Sequence, residues 1–245
     1  MITLYSGDLS PYSARVRMQI YAKGISDIAI KLPPNFGTPQ FREKFPIGRI
    51  PVLDVDGDMI PESEVIAEYL EETYPKPSML GATARETAHI RMVARIGDIY
   101  IMNNMFMLAG QSYSPARNEG IIDLLGGQVL RNIKALDAYI GKDGFACCGR
   151  ITMADCALVP GLFLVDGMFA TLGLKNPIPA NRNVAAYWDA IQKNEHAAKT
   201  LAELKRGLAE RVEMIRNGTF EKLIAAARAN EQATRAELRS TGAAE

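Results

Sequence analysis

Two short segments of the chain carry residues able to hold or activate a small ligand. Ser10-Pro-Tyr-Ser13 sets two hydroxyls at the entrance to a helix, and a serine followed by proline at the first helical position is a common N-cap combination. Further on, Ile50-Pro51 leads into a short strand and Glu62-Ser63 opens another helix. An X-Pro bond at a strand start is a candidate cis peptide. A cis bond there turns the Ile50 backbone groups outward, where a peptide ligand can pair with them as an added strand. Ser63 near a helix N-terminus offers free N–H groups to a carboxylate, and Glu62 offers its own carboxylate to an ammonium. The pair suits the head of a zwitterionic α-amino acid. A plainer alternative makes Ser63 an N-cap and Glu62 a solvated first-turn acid.

The elements that must position these residues are legible in outline. Met1 to Tyr5 reads as a strand, Ala14 to Lys23 as a helix stopped by Gly24, and Asp27 to Leu32 as a second strand, together a βαβ unit. Ile50 to Leu53 reads as a buried strand, Asp56-Gly57 as a hairpin turn and Asp58 to Ile60 as the returning strand. Val65, Ile66, Tyr69 and Leu70 then give the apolar stripe of the helix that Glu62-Ser63 opens. Ser10 and Ser13 stand at the spacing that disulfide oxidoreductases fill with Cys-x-x-Cys, with hydroxyls in place of both thiols.

Composition excludes several function classes. At 245 residues the chain is long enough for two domains with adequate cores. Zero formal net charge without a long basic run argues against nucleic acid as a partner, and no apolar segment suits a membrane span. Three cysteines, two of them the adjacent Cys147 and Cys148, form no disulfide framework, and no signal-peptide pattern is present, so a reducing, cytoplasmic setting is expected. His89 and His196 lie far apart and give no metal-ligand spacing, so no metal site is expected.

Four motifs in order, LYSGDLSPYSARVRMQIYAKGI, FPIGRIPVL, PESEVIAEYLEETYP and ITMADCALV, make the chain resemble the glutathione transferase superfamily from Met1 to about Leu204. The resemblance implies an α/β thioredoxin-like N-terminal domain followed by an all-α helical C-terminal domain. The expected division is 1–76 for the glutathione-binding domain, 77–84 for a linker, 85–216 for the helical second-substrate domain and 217–245 for a helical extension beyond the family's usual end. It also implies glutathione as cosubstrate, a homodimer, and attack of the glutathione thiolate on electrophilic, mostly apolar small molecules. A glutathione-dependent isomerase or an ether or halide lyase is the alternative within enzymes, and a non-catalytic ligand-binding module on the same fold is the alternative outside them.

Carried over residue by residue, the resemblance puts Ser10 where serine-type members such as the tau and zeta classes keep the hydroxyl that stabilises the thiolate. Ser13 is the second choice for that role, and Tyr5 or Ser6 a third. Ile50 and Pro51 match the element that pairs with the cysteinyl backbone of glutathione, Glu62 and Ser63 the γ-glutamyl pair, and Arg49 a basic contact to the glycyl carboxylate. The stretch Pro34 to Arg42 departs from some classes in offering no lysine for a second basic contact, which leaves Gln40 as the substitute. A free thiol titrates near 8.5, so a thiolate at neutral pH needs a shift of about two units, or about 2.7 kcal/mol. A charge-assisted hydrogen bond from Ser10 at about 1.5–3 kcal/mol and a helix N-terminus at about 0.3–2 kcal/mol suffice without a histidine base or a metal.

The helical half should supply the second-substrate pocket, between the Gly7 to Tyr12 loop and a long helix over Thr87 to Gln111. Tyr12, Tyr100, Met102, Met105, Phe106 and Met107 are the candidate lining residues, with core packing as the alternative for each methionine. Thr152 and Asp155 resemble the capping box that opens the buried core helix of the family, a stabilising rather than catalytic pair. Beyond Asn217-Gly218 a further helix is expected from Phe220 towards Leu238, with a thin stripe of Phe220, Leu223, Ile224 and Ala227, as a lid, a contact to a second subunit or a loosely docked tail.

Overall fold

A computed structural model describes residues 1–112 and 117–221. Leu223, Ile224 and Ala227 of the expected last helix lie outside the described residues. β1 (Ile2–Tyr5), α1 (Pro11–Lys23) and β2 (Ile28–Lys31) form a parallel βαβ unit, to which β3 (Val52–Val55) and β4 (Asp58–Pro61) add in antiparallel fashion. The sheet order is β2-β1-β3-β4. Asp56 and Gly57 take φ of 53° and 105° and connect β3 to β4, as a tight two-residue hairpin demands.

Strand alternation divides the core of this domain. Leu4 and Leu53 pack with Val16, Ile20, Ile66 and Leu70 beneath α1 and α3 (Ser63–Thr73), while Val52 joins Phe41 and Phe45 of the α2 (Pro39–Lys44) region. The strand expected from Ile50 begins instead at Val52. Ile50 and Pro51, joined by a cis peptide bond, stand before the ladder and are left free of it.

The helical half comprises α4 (Ala84–Arg95), α5 (Asn103–Ser112), α6 (Glu119–Tyr139), α7 (Met153–Met168), α8 (Arg182–Ile191) and α9 (Glu195–Arg216). α4 and α5 are one continuous helical run interrupted by a π-helical segment, Ile96–Met102, within the stretch expected as a single regular helix. α7 is the core helix: every residue from Met153 to Leu162 is buried, as a helix apolar on all faces requires. Its start is held by Asp155, whose Oδ2 accepts from the Thr152 N–H and O–H at 2.8 Å each and whose Oδ1 accepts from the Ala146 N–H at 2.8 Å. The stabilising reading of Thr152 and Asp155 fits this geometry.

α1 belongs to both halves. Ala14 and Met18 are buried in the large helical core with α7, at about 1.5–3 kcal/mol for a fully buried large apolar side chain, while Val16 and Ile20 face the sheet. At its end Lys23 donates to the carbonyls of Tyr74 and Pro77 at 2.7 and 2.9 Å and pairs with Glu71 at 2.6 Å, fixing the chain between α3 and α4.

Candidate active site

Two helix starts and the approach to β3 converge on one cleft. Ser10 is the N-cap of α1, half-buried, and its Oγ accepts from the Ser13 N–H at 3.2 Å. A hydroxyl that accepts in this way still has its own proton to donate. Ser13 has no exposed surface, and Tyr5 donates to Asp54 Oδ2 at 3.4 Å while packing against Phe45, so neither alternative hydroxyl lines the cleft. Ser6 is buried and accepts from Arg17 at 2.7 Å.

At α3 the roles differ from the plain capping alternative. Glu62, not Ser63, is the N-cap; it takes φ 73° and makes no side-chain capping bond, while Ser63 is the first helical residue and 5% exposed. A sparsely populated positive-φ conformation of this kind costs a non-glycine residue about 1–3 kcal/mol. Such strain at a cleft edge is a pointer to function.

Arg49, Ile50, Pro51, Glu62 and Ser63 line one cavity of about 270 Å³, together with Asp98. Ser10 lies on the wall of a larger one, about 710 Å³, with Leu9, Phe36, Phe106 and Met214 among its apolar neighbours. Tyr12, Arg49 and Ile50 line both, so the cavities adjoin. At the junction the Arg49 guanidinium lies 5.3 Å from the Phe106 ring centroid, and Tyr12 packs edge-on to the same ring at 6.0 Å. Burial first, and then the charge of Asp98, raises the Tyr12 phenol above its ordinary value. Gln40 is exposed and lines neither cavity.

Of the six residues expected to line a second-substrate pocket, Tyr12 and Phe106 do so and four do not. Met102 and Met105 are fully buried in the helical core, while Tyr100 and Met107 are about half exposed and outside both cavities. Met102 and Met105 follow the core-packing alternative, while Asn103 lines the smaller cavity and Phe106, as expected, the larger one.

Sequence reasoning also missed the ionic frame behind the smaller cavity. Arg15, fully buried, donates to Asp98 Oδ2 at 3.2 Å and pairs with Glu64, and Arg95 donates to the same Asp98 oxygen at 2.8 Å. Burial lowers the Arg15 pKa, and the Asp98 carboxylate opposes that shift. Arg95 and Asp98, one turn apart on an apolar helix, were the available sequence signal. α9 contributes Gly207, Glu210, Arg211 and Met214 to the larger cavity, which no local pattern announces. Among the described residues no group of three His, Cys, Asp or Glu side chains is arranged to hold a metal, the cysteines are free, and no helix is long and apolar enough to cross a membrane.

The fold has counterparts among known proteins. The glutathione S-transferase N-terminal domain matches residues 4–78 and the glutathione S-transferase C-terminal domain residues 119–190. The chain belongs to the glutathione S-transferase family. Maleylacetoacetate isomerase of Pseudomonas aeruginosa is 31% identical over 171 residues, 66% of this chain and 81% of that protein. The stringent starvation protein A homolog of Coxiella burnetii is 26% identical over 211 residues, 86% of this chain and 96% of that protein. A glutathione S-transferase structure from Methylobacillus flagellatus with GSH bound superposes with a TM-score of 0.70 at 20% identity, covering 82% of this chain and 98% of that one. The fold is thus the family's: a thioredoxin-like domain of four strands and flanking helices, followed by an all-helical domain.

Proposed function

We propose that this glutathione S-transferase family member binds glutathione in the smaller cavity and adds its thiolate to electrophilic, mostly apolar small molecules held in the larger one. The carrying observation is that a polar cavity at the α3 N-terminus adjoins an apolar cavity at the α1 N-terminus, with Tyr12, Arg49 and Ile50 lining both. Glu62 takes the ammonium of the γ-glutamyl head, Ser63 and the α3 N–H groups take its carboxylate, and the Ile50 backbone pairs with the cysteinyl unit. Arg49 takes the glycyl carboxylate. That placement brings the thiol to the junction of the cavities, beside Ser10, whose free proton stabilises the thiolate together with the α1 dipole.

We place the protein in the cytoplasm as a homodimer, and the exposed Tyr100 and Met107, outside both cavities, suit the face of a second copy. Of the extension expected over 217–245, residues 222–245 lie outside the described residues. A second reading is a glutathione-dependent isomerase, favoured by the likeness to maleylacetoacetate isomerase. Turnover of a panel of aryl halides, epoxides, aryl ethers, hydroperoxides and cis-dienoic acids, with and without glutathione, tests both. Conjugates support transfer, and isomerised dienoic acid with glutathione returned unchanged supports isomerisation. Inertness across the panel with glutathione still bound leaves the non-catalytic binding module.

A further inference from the structure

The loop that carries Ser10 has little structure of its own. Between the Ser6 N–H, which donates to Lys31 at 2.8 Å, and the Ser10 N–H, which donates to Gly7 at 3.1 Å, no ladder supports it. Its shape comes instead from a buried guanidinium. Arg17, 1% exposed, donates to Ser6 Oγ at 2.7 Å, to the Gly7 carbonyl at 2.9 Å and to the Asp8 carbonyl at 3.0 Å. A guanidinium is a planar fork, so fixing its plane fixes the direction of every group that accepts from it.

That plane is set from α9. Arg17 Nε donates to Glu203 Oε2 at 2.7 Å, and the second Glu203 oxygen accepts from the Tyr21 hydroxyl at 2.7 Å, which leaves the carboxylate no freedom to turn. α9 touches the loop twice more. Asp8 pairs with Arg206 at 2.6 Å, and Gly207 sits so near Leu9 that an added Cβ would lie 2.5 Å from the Leu9 backbone nitrogen. The same helix walls the larger cavity through Met214.

We propose that Arg17, Glu203 and Gly207 are positioning residues for Ser10: α9 clamps the Gly7–Ser10 loop and so holds the Ser10 hydroxyl in place while shaping the cavity for the second substrate. The inference rests on the reading of Ser10 as the group that stabilises a glutathione thiolate. It makes second-substrate cavity and thiolate activation parts of one unit, although α9 is nearly two hundred residues from Ser10 in sequence.

Arg17 is too buried for a safe deletion, so the test enters from α9 in the full chain. Gly207→Ala forces the loop aside without removing a charge, and Glu203→Ala releases Arg17. Glu203→Gln keeps an oxygen for Arg17 and an amide that can donate to Tyr21. Amide hydrogen exchange of the ligand-free proteins and the pH titration of bound glutathione by thiolate absorbance are read together. In Gly207→Ala and Glu203→Ala, exchange across Gly7–Ser10 should quicken about tenfold with the α3 start unchanged. The pKa of the bound thiol should rise by about one unit, with the glutathione KM within about twofold of wild type. Glu203→Gln should restore the wild-type values.

Unchanged exchange in both variants overturns the clamp, and a loosened loop with an unmoved thiol pKa overturns its role in positioning Ser10. Equal pH profiles for Glu203→Ala and Glu203→Gln do the same for Glu203. Wild-type protein that shows no bound thiolate overturns the glutathione reading instead, and the exchange data then judge the clamp alone.

Discussion

The starts of α1 and α3 face the same cleft and solve the same problem in opposite ways. Ser10 caps α1 with its own side chain, spending a lone pair on the Ser13 N–H and keeping its proton. Glu62 precedes α3 at a positive φ without a side-chain capping bond, so the N–H groups of that helix start are left to other acceptors. The first arrangement suits a fixed donor for one developing or resident anion. The second suits a site completed by a ligand's carboxylate. A third start, that of α7, is the contrast to both: Thr152 and Asp155 satisfy one another in the core, and nothing is left for a ligand.

The largest effect should come from the start that binds nothing. Asp155→Ala strands the Ala146 N–H and the Thr152 N–H and hydroxyl, and should cost about 3–5 kcal/mol of stability in denaturant unfolding while leaving glutathione affinity unchanged. A destabilised variant that also loses affinity would break the separation between core cap and ligand cap. Asp155 carries a pH signature as well. Burial, against the three donated hydrogen bonds, pushes its carboxyl up to about 6 from 3.8. The folded state therefore keeps a proton that the unfolded chain gives up, and this group's contribution is full below its unfolded value and lost as pH rises to about 6. Melting of wild type and Asp155→Asn between those limits should show a slope in the former, worth up to about 3 kcal/mol, that is absent from the latter. Equal slopes contradict the assignment.

A smaller effect is expected at α3. Glu62→Ala and Ser63→Ala should each weaken glutathione binding by about 1.5–3 kcal/mol, roughly tenfold or more, with melting temperature nearly unchanged for the exposed Glu62. Calorimetry showing wild-type affinity in both variants would remove the ligand from this helix start.

What could be read from the sequence follows from how local each determinant is. Ser10-Pro11 as a cap, Asp56-Gly57 as a hairpin and Thr152 with Asp155 as a capping box are each fixed within four residues, and the structure contains all three. Only the plainer capping alternative is reversed at Glu62 and Ser63, since the choice of N-cap there turns on the positive φ of Glu62, which composition does not announce. Met102 and Met105 took the core-packing alternative, since an apolar stripe does not by itself say whether a neighbouring helix or a cavity faces it. The grip of α9 on the Ser10 loop, through Arg17 and Asp8, depends on contacts between opposite ends of the chain and left no periodic trace.

The central claim is that Ser10, with its lone pair given to the helix and its proton free, stabilises a bound thiolate. The direct measurement is the pH dependence of turnover and of thiolate absorbance for wild type and Ser10→Ala at saturating glutathione. The account predicts a bound-thiol pKa higher by about one to two units in the variant, equal to about 1.4–2.7 kcal/mol, and turnover at neutral pH lower by about ten- to a hundredfold. Glutathione affinity should stay within about threefold, since Glu62 and Ser63 are untouched. Full turnover with an unshifted pH profile in Ser10→Ala would contradict it.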